Sequence, residues 1–351
     1  MKKQIKIGDK IINDKNCLII AEAGVNHNGS LDMAEKLIKS AKNNGADFIK
    51  FQTYKAEKLT IKKSPRFWNW QGEIKKAGTQ YDSYKRLDSF DLKEYLKLKK
   101  ICNKYKIQFL STPFDNDAVD LLLKVGVNAF KIASCDITNF PLLEKVAKTK
   151  IPILLSTGAS NIFEIKNAIN LIKRYNDKIC IMHCTLTYPT PDKFANLSAI
   201  KDLQSEFKNF YIGFSDHTLG IEIPSASVAF GARIIEKHYT YNKKLKKSAD
   251  HWLSISPSEL KKLRISVDRV MSAIGNGKKT VLKSEIKTRK FARRSLVTSK
   301  TLKKGHILKK YDIIPKRPGT GISPIHYKKV LGKKLKKNLT ADTILKFKDL
   351  I

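Results

Sequence analysis

Short apolar runs alternate with longer amphipathic segments through about the first 275 residues, and this alternation restricts the fold more than any other feature. Eight of the runs have the length and composition of buried strands. They are Cys17–Ala21, Asp47–Gln52, Gln108–Thr112, Ala129–Ile132, Ile153–Ser156, Ile179–His183, Tyr211–Ser215 and Arg233–His238. Because a helical pattern separates each run from the next, the sequence predicts parallel strands joined by helices.

The segments between these runs have the periodicity of amphipathic helices. In Leu31–Asn44, the apolar positions 31, 34, 37, 38 and 41 form one stripe. The other segments are Asp91–Tyr105, Asp117–Val125, Pro141–Lys150, Ile162–Tyr175, Asn196–Phe207, Ile223–Gly231 and Ser256–Ala273. Eight strand–helix alternations are what a TIM-type (β/α)8 barrel requires. The main alternative is an open doubly wound sheet, which usually carries a glycine-rich GxGxxG loop after its first strand, whereas EAGVNHNGS follows here.

The chain of 351 residues is long enough for about two domains. We predict a barrel domain at 1–277, a Lys-rich linker at 278–293 and a small β-rich domain at 294–351. The last segment contains short β-type runs separated by Gly and Pro turns, which is typical of a compact β-rich module.

The connection between the second predicted strand and its helix, residues 53–90, is unusually long. It contains four large aromatic residues, Trp68, Trp70, Tyr81 and Tyr84. A connection of this length in a compact domain is often a lid over an active site. A loop with a small aromatic cluster of its own fits the same pattern, and the sequence leaves both interpretations open.

The chain is strongly basic, with 69 Lys and Arg against 32 Asp and Glu and a net charge of +37. A basic surface can recruit nucleic acid, acidic lipids or anionic small substrates. The lysines are scattered between hydrophobic residues, however, and no arginine-rich tract, zinc-finger spacing or aromatic RNA-binding signature occurs. This pattern favours a Lys-biased surface, and no nucleic-acid partner is predicted.

Five scattered cysteines without a CxxC pair predict reduced thiols and a cytoplasmic location. The N-terminal MKKQIKIGDKII has a basic start but no long apolar stretch, so no signal peptide is predicted. No run of about 18 apolar residues occurs, so no membrane partner is predicted.

Polar and reactive residues follow nearly every predicted strand at its carboxyl end. In chain order they are Glu22, Asn26 and His27; Lys50 and Gln52; Ser111 and Thr112; Lys131, Ser134 and Asp136; Ser156 and Thr157; His183, Thr185 and Tyr188; Ser215, Asp216 and His217; and Glu236, Lys237 and His238. The reactive residues of a (β/α)8 barrel gather at this end of the strands. A single Ser or Thr there would be read as a helix N-cap, but eight converging endings predict an active site.

Two lysines, Lys50 and Lys131, lie within otherwise apolar strands. A buried ammonium group requires an anionic partner. With the Ser and Thr hydroxyls nearby, the two lysines suit a ligand that carries a phosphate and a carboxylate. Salt bridges to a nearby Glu or Asp are the alternative.

Two histidines, His217 and His238, end neighbouring strands. A pair of imidazoles at adjacent strand ends can share a divalent metal ion, with water and substrate completing the coordination. For a single histidine a hydrogen bond within the core would be the better interpretation, whereas the pair favours a metal.

The ordered motifs EAGVNHNGS, IKFQT, STPF, FKIAS, LLSTG, HCTLTYPTP, GFSDHTLG and IIEKHYT resemble those of the sialic acid synthase family, which makes N-acetylneuraminic, legionaminic and pseudaminic acids. The C-terminal RSLVTSKTLKKGHIL and KRPGTGI resemble the antifreeze-like (SAF) domain that ends these enzymes. The resemblance covers nearly the whole chain. It implies a TIM-type barrel that condenses phosphoenolpyruvate with an N-acylated mannosamine-type sugar, with Mn²⁺ or Mg²⁺ as cofactor.

The resemblance also implies roles for individual residues. Glu22 matches the catalytic base, and Asp250 matches a catalytic-site residue that orients the sugar. The phosphoenolpyruvate contacts match Lys50, Thr112, Lys131, Ser134, Ser156 and Ser215. The metal ligands match His217 and His238, and the other sugar contacts match Gln52, Asp136 and Tyr188. Arg317 matches an arginine that reaches the site from a partner subunit, which implies a domain-swapped homodimer.

The chain departs from the family pattern around the sugar. Leu186 replaces the Asn of the N-acetylmannosamine-using enzymes, and Asp136 replaces a Glu. Two acceptors therefore remain open, N-acetylmannosamine and 2,4-diacetamido-2,4,6-trideoxymannose. The alternative functions are a synthase that acts on an aldose phosphate, of the KDO-phosphate or DAHP type, and a basic protein that binds anions or nucleic acid.

Overall fold

The computed structural model describes residues 2–68, 78–246, 248 and 250–351. The chain divides into two compact units, Met1–Gly275 and Asn276–Ile351. The boundary lies two residues before the predicted end of the barrel domain at 277. No helix in the described ranges is both long and apolar enough to cross a bilayer.

The first unit begins with an antiparallel hairpin, which was not predicted from the sequence. It consists of β1 (Ile5–Ile7) and β2 (Lys10–Ile12), which pair in register. Their buried isoleucines pack in one cluster with the inward-facing apolar residues of the barrel strands, such as Leu18 and Phe48. The hairpin therefore closes the amino-terminal end of the barrel and leaves the opposite end for the site.

Eight parallel strands form the closed barrel, and each pairs with its neighbours in chain order until the last returns to the first. They are β3 (Leu18–Gly24), β4 (Phe48–Thr53), β5 (Gln108–Pro113), β6 (Phe130–Ile132), β7 (Ile153–Ser156), β8 (Ile179–Cys184), β9 (Tyr211–Asp216) and β10 (Ile234–His238). The predicted (β/α)8 barrel is confirmed. The strands are buried on both faces, as expected for a parallel sheet covered by helices.

Helices follow the barrel strands, and the longer ones pack around the outside of the barrel. In chain order they are α1 (Leu31–Asn43), α2 (Ala56–Leu59), α3 (Gln80–Lys85), α4 (Leu92–Lys104), α5 (Asn116–Val125), α6 (Phe140–Lys148), α7 (Ile162–Lys173), α8 (Ala199–Glu206), α9 (Glu222–Ser227) and α10 (Pro257–Ala273). Their starts follow local capping chemistry. Ser256 caps α10 in a capping box with Glu259, and a proline occupies the first turn. The long connection at 53–90 contains α2 and α3, and Trp70 lies outside the described residues.

The second unit begins with a segment, 278–293, that was predicted as a linker. It contains the helix α11 (Ile286–Ala292), whose residues are all exposed. The predicted β-rich character of the module is confirmed by antiparallel pairing of β11 (Ser295–Thr298) with β12 (Ile313–Lys316). The helix α12 (Tyr327–Val330) completes the elements of this unit.

The second unit also contains an internal repeat, which the sequence analysis overlooked. Residues 302–314 (LKKGHILKKYDII) and 339–351 (LTADTILKFKDLI) align without gaps. The repeats pair at their first residues, since the N–H of Leu302 donates to Leu339 O at 2.8 Å and the N–H of Leu339 donates to Leu302 O at 2.9 Å. Asp312 and Asp349 then cap equivalent short turns. The module is therefore built from two copies of one supersecondary unit around a leucine-rich core.

Candidate active site

A cavity of about 460 Å³ lies at the carboxyl ends of the barrel strands. It brings together every site residue that was predicted within the barrel. These thirteen residues are Glu22, Lys50, Gln52, Thr112, Lys131, Ser134, Asp136, Ser156, Tyr188, Ser215, His217, His238 and Asp250. Arg317, the fourteenth, belongs to the second unit. Since parallel strands end at one edge of a barrel, residues far apart in sequence converge there.

Two ion pairs occupy the floor of the cavity. Lys50 Nζ lies 2.7 Å from Glu22 Oε2, and it donates to Thr112 Oγ1 at 3.0 Å. Lys131 Nζ lies 3.1 Å from Glu236 Oε1. The alternative left open by the sequence, salt bridges to nearby acidic residues, is therefore what the structure shows, because Glu22 and Glu236 offset the charges of the two lysines within the chain. Both pairs line the cavity, so an anionic ligand can still reach the ammonium groups.

Glu236 connects the two pairs, and no role was predicted for it. Its Oε1 accepts from Ser215 Oγ at 3.1 Å, and its Oε2 lies 3.8 Å from Lys50 Nζ. The spacing of polar residues in β10 placed Glu236 at the strand end but could not show that it touches both lysines. Glu236 reaches Lys131 and Lys50 because closure of the sheet brings β10 close to β6 and β4 across the barrel.

The two glutamates differ in their affinity for a proton. Burial raises the pKa of Glu22 to about 7, although the charge of Lys50 opposes the shift. Burial also acts to raise the pKa of Glu236, but Lys131 and Lys50 outweigh it and lower the pKa to about 2. Glu22 can therefore exchange a proton near neutral pH, whereas Glu236 stays charged and anchors the lysines.

The two predicted metal-binding histidines lie side by side, with ring centroids 5.5 Å apart. The ring of Tyr188 packs against both, at 3.9 Å from His217 and 5.7 Å from His238. His217 Nδ1 lies 2.8 Å from the carbonyl oxygen of Thr185. Because a carbonyl only accepts, Nδ1 carries a proton, which leaves Nε2 as the ring nitrogen that can bind a metal ion when the imidazole is neutral.

The donor set fits a shared divalent ion. Burial lowers the pKa of His238 well below its usual value, so its imidazole is neutral and can donate a lone pair. His238 Nδ1 is buried without a hydrogen-bond partner in the described chain and lies 3.5 Å from Asp250 Oδ2. No group of three or more His, Cys, Asp or Glu side chains within the described residues forms a ready-made metal site. Water and substrate would have to complete the coordination.

A buried ion pair lies next to the histidines in sequence. Lys237 Nζ lies 2.7 Å from Asp216 Oδ2, and the two residues are register partners across β9 and β10. Asp216 also accepts hydrogen bonds from the backbone N–H and hydroxyl of Thr218. Since each partner directly precedes one of the histidines, the pair fixes the strand ends that carry His217 and His238.

A serine and glycine pair shapes the wall near Lys131. The backbone N–H of Gly158 donates to Ser134 Oγ at 2.9 Å. A Cβ atom at position 158 would lie 2.9 Å from the same oxygen, so only glycine fits this approach. Within the described part of the chain, the buried hydroxyl of Ser156 has no hydrogen-bond partner, which leaves it available to a ligand.

Apolar and aromatic side chains form another part of the cavity wall. Trp68 and Tyr84 come from the long connection at 53–90, and their ring centroids are 5.9 Å apart. Leu186 lines the cavity with 37% of its surface exposed. The predicted aromatic connection therefore contributes to the cavity and also forms a cluster of its own, so the two interpretations describe the same feature.

Comparison with known proteins identifies the family of the chain. The model of the NeuB family matches residues 37–279, and the SAF domain model matches residues 293–351. An N,N'-diacetyllegionaminic acid synthase from Campylobacter jejuni is 43% identical over 95% of this chain and 99% of that protein. The crystal structure of an N-acetylneuraminic acid synthetase from Leptospira borgpetersenii, in complex with citrate, has a TM-score of 0.73 and 39% identity over 82% of this chain and 95% of that one.

A more distant likeness concerns the fold alone. A truncated 3-deoxy-D-arabino-heptulosonate 7-phosphate synthase from Thermotoga maritima matches with a TM-score of 0.60 and 18% identity, over 78% of this chain and 94% of that one.

The resemblance drawn from the motifs is confirmed by the family model and by relatives that span almost the whole chain. The chain belongs to the NeuB family and carries a SAF domain at its C-terminal end.

Proposed function

We propose that this chain is a transferase that condenses phosphoenolpyruvate with an N-acylated mannosamine-type sugar, giving a nonulosonic acid and inorganic phosphate. The observation that carries the proposal is the convergence of two buried lysines and two buried imidazoles on one cavity. The lysines suit a small anion with two charged groups, and the imidazoles suit a cation next to it. The names of the similar proteins, which are legionaminic and sialic acid synthases, support the same reaction.

Lys50 and Lys131 would bind the phosphate and carboxylate of phosphoenolpyruvate. The hydroxyls of Thr112, Ser134, Ser156 and Ser215 line the same cavity and would supply further hydrogen bonds. Glu236 accepts from Lys131 and Ser215 at 3.1 Å each, so both donors are held in position before the substrate arrives. Such preorganised donors stabilise charge in the transition state at no cost of rearrangement.

In the proposed reaction, the methylene carbon of phosphoenolpyruvate forms the new bond to the aldehyde carbon of the open-chain sugar. The adjacent carbon becomes electron-poor, and water adds to it while Glu22 accepts a proton of the water and passes it to the former aldehyde oxygen, which becomes a hydroxyl. The tetrahedral intermediate then loses phosphate as its C–O bond breaks, and its hydroxyl proton leaves with the phosphate, which gives a 2-keto acid. A pKa of about 7 suits Glu22 to this role near neutral pH.

His217 and His238 would hold the divalent ion, Mn²⁺ or Mg²⁺. When bound there, the ion would supply Lewis-acid polarisation of the sugar aldehyde. The hydrogen bond from His217 Nδ1 to Thr185 O holds the ring in place and would leave the other ring nitrogen to bind the ion, as outer-shell partners of metal-binding histidines do.

The acceptor would be N-acetylmannosamine or 2,4-diacetamido-2,4,6-trideoxymannose. Gln52, Asp136, Tyr188 and Asp250 line the cavity and would contact the sugar. Leu186 on the wall favours the second sugar, because an apolar side chain suits a deoxy methyl group better than a hydroxyl. The legionaminic acid synthase named above is consistent with this choice.

We further propose a domain-swapped homodimer in which the partner's Arg317 orients the acyl group of the sugar. Apolar side chains of the loops that follow β8, β9 and β10 are exposed, namely Phe194, Leu219 and Tyr241, and this supports a face that a second copy covers. Mixing inactive His217→Ala and Arg317→Ala protomers tests the arrangement. Recovery of activity is expected if the residues act across subunits, and a mixture that stays inactive would count against it.

A cytoplasmic location is proposed on the basis of the cysteines. All five are free thiols, and four of them are buried. Reduced thiols are typical of a reducing compartment.

The decisive experiment incubates the enzyme and Mn²⁺ with phosphoenolpyruvate and each of three acceptors, the two amino sugars and arabinose 5-phosphate. With one of the amino sugars, we expect phosphate release and a product whose mass equals that of phosphoenolpyruvate, the sugar and one water, less phosphoric acid. Turnover only with arabinose 5-phosphate would favour the aldose-phosphate alternative. Among the described residues that line the cavity, Arg86 is the one Lys or Arg besides Lys50 and Lys131, which argues against a second phosphate.

A further inference from the structure

A chain of buried hydrogen bonds leads to the backbone of Asp250 through two residues that have no role in the proposed reaction. It begins at Asn26, three residues after the buried Ala23 of the first barrel strand, and passes through Ser254. Asn26 is 1% exposed and Ser254 is fully buried. Neither residue lines the cavity, so neither can touch substrate directly.

The side-chain amide of Asn26 makes two donations to residues that follow β10, the strand paired with β3. Its Nδ2 donates to the carbonyl oxygen of Tyr239 at 2.9 Å and to Ser254 Oγ at 3.1 Å. The hydroxyl of Ser254 then donates to the carbonyl oxygen of Asp250 at 2.6 Å. Asn26 is thus connected through one hydroxyl to the backbone of a residue on the cavity wall.

The orientation of the Asn26 amide is determined by its partners. Both hydrogens of the NH₂ group are used, and reversing the amide would place Oδ1 against the carbonyl oxygen of Tyr239. Within the described chain, Oδ1 itself is buried without a hydrogen-bond partner. An unpaired buried oxygen costs stability, so the contribution of Asn26 comes from the two donations of Nδ2.

A second contact holds the same loop. His251 Nδ1 lies 2.7 Å from Thr240 Oγ1, and His251 Nε2 lies 3.1 Å from Asn28 Oδ1. The loop that carries Asp250 is therefore tied at two points to the loop after β3 and to the residues that follow β10. The carboxylate of Asp250 lies 3.5 Å from His238 Nδ1 within this arrangement.

We propose that Asn26 is a positioning residue that acts through Ser254 to place Asp250 against the sugar acceptor. The inference rests on the proposed function, in which Asp250 orients the sugar. Loss of the link should let the Asp250 loop shift, which weakens the contact between the Asp250 carboxylate and the sugar and raises KM for the sugar. Binding of phosphoenolpyruvate should be unaffected, because Lys50 and Lys131 have no contact with this chain of hydrogen bonds.

The test compares Ser254→Ala and Asn26→Ala with Asp250→Asn in steady-state kinetics. We expect each single variant to raise KM for the sugar about tenfold, and KM for phosphoenolpyruvate to stay within about twofold. In the Asp250→Asn background, Asn26→Ala should have no further effect, because both changes remove one function. Additive effects would overturn the inference, since a general structural role would give them.

A matched control is Asn176→Ala. Asn176 is also buried and also bridges backbone groups, with Nδ2 donating to Ile151 O at 2.7 Å, but it precedes β8 at the amino-terminal end of the barrel. We expect this variant to lower stability and to leave both KM values unchanged. A rise in the sugar KM equal to that of Asn26→Ala would overturn the inference.

Crystal structures of wild type and Ser254→Ala separate this inference from the proposed function, because they need no substrate. Displacement of the Asp250 carboxylate by about 1 Å or more from its place beside His238 would support the link whatever the acceptor is. Superimposable loops in the two crystals would overturn it. A wild-type enzyme without condensation activity would instead count against the proposed function and leave the crystallographic result to decide the link.

Discussion

The ammonium group of Lys50 lies 2.7 Å from a carboxylate oxygen of Glu22, and both side chains are almost completely buried on the floor of the cavity. The same lysine also donates to Thr112 at 3.0 Å. The site therefore holds a cation beside a carboxylate whose pKa is near neutrality. This relationship leads directly to a pH dependence.

The activity should fall on the acid side of about pH 7, because burial raises the pKa of Glu22 to about 7 and the base must be unprotonated. Well below this pH, kcat/KM should decline about tenfold per pH unit. Glu22→Gln should lose nearly all turnover while phosphoenolpyruvate binding persists. A pH–rate profile of wild type that is flat from pH 5 to 8 would contradict the assignment of the base.

The raised pKa of Glu22 also makes the stability of the folded chain depend on pH. The pKa of Glu22 is raised in the folded chain from an ordinary value of 4.5 to about 7. The folded state therefore binds the proton more tightly, and stability declines as the pH rises from about 4.5 to 7. Urea unfolding across this range should show a shallower decline for Glu22→Gln, whose amide does not titrate.

Removal of one partner of the buried ion pair between Lys237 and Asp216 should destabilise the barrel strongly. Lys237→Met leaves Asp216 as an uncompensated buried charge, and we expect a loss of about 3–5 kcal/mol in the free energy of unfolding. The double variant with Asp216→Asn should lose less, because no charge is left unpaired. Lys3→Met breaks the exposed pair with Asp177, also at 2.7 Å, and should cost less than about 1 kcal/mol. Equal losses in the two single variants would contradict the prediction.

If His217 and His238 bind the metal ion, removal of either imidazole should reduce both turnover and metal binding. His217→Ala and His238→Ala should each abolish metal-dependent turnover and weaken Mn²⁺ binding, which electron paramagnetic resonance can measure directly. His306→Ala is the control, because His306 lies in the second unit, where it contacts Asp312. A purified His217→Ala enzyme with an unchanged rate would exclude the metal assignment.

The acceptor preference should respond to Leu186, which lines the cavity. Leu186→Asn should raise kcat/KM for N-acetylmannosamine relative to 2,4-diacetamido-2,4,6-trideoxymannose by about tenfold, because a polar side chain can pair with a hydroxyl. The ratio of kcat/KM values for the two sugars, measured with phosphate release, checks this. An unchanged ratio would show that Leu186 does not contact the distinguishing substituent.

The barrel could be predicted closely from the sequence. The predicted run Ile153–Ser156 coincides with β7, and the run Tyr211–Ser215 differs from β9 by one residue. The physical reason is that a buried parallel strand must be apolar, and that a helix must separate it from the next. The antiparallel hairpin at residues 5–12 was missed because each of its strands has only three residues, too few to show a period.

The convergence of the residues predicted within the barrel on one cavity also followed from the sequence, because residues at the carboxyl ends of parallel strands must converge when the sheet closes. The sequence did not determine which side chains those residues contact. That Glu236 contacts both Lys131 and Lys50 depends on distances across the interior of the barrel. That Asn26 reaches Ser254 depends on the pairing of the last strand with the first when the barrel closes. Periodicity along a strand tells which face a side chain occupies, but only the closed sheet decides which side chains meet there.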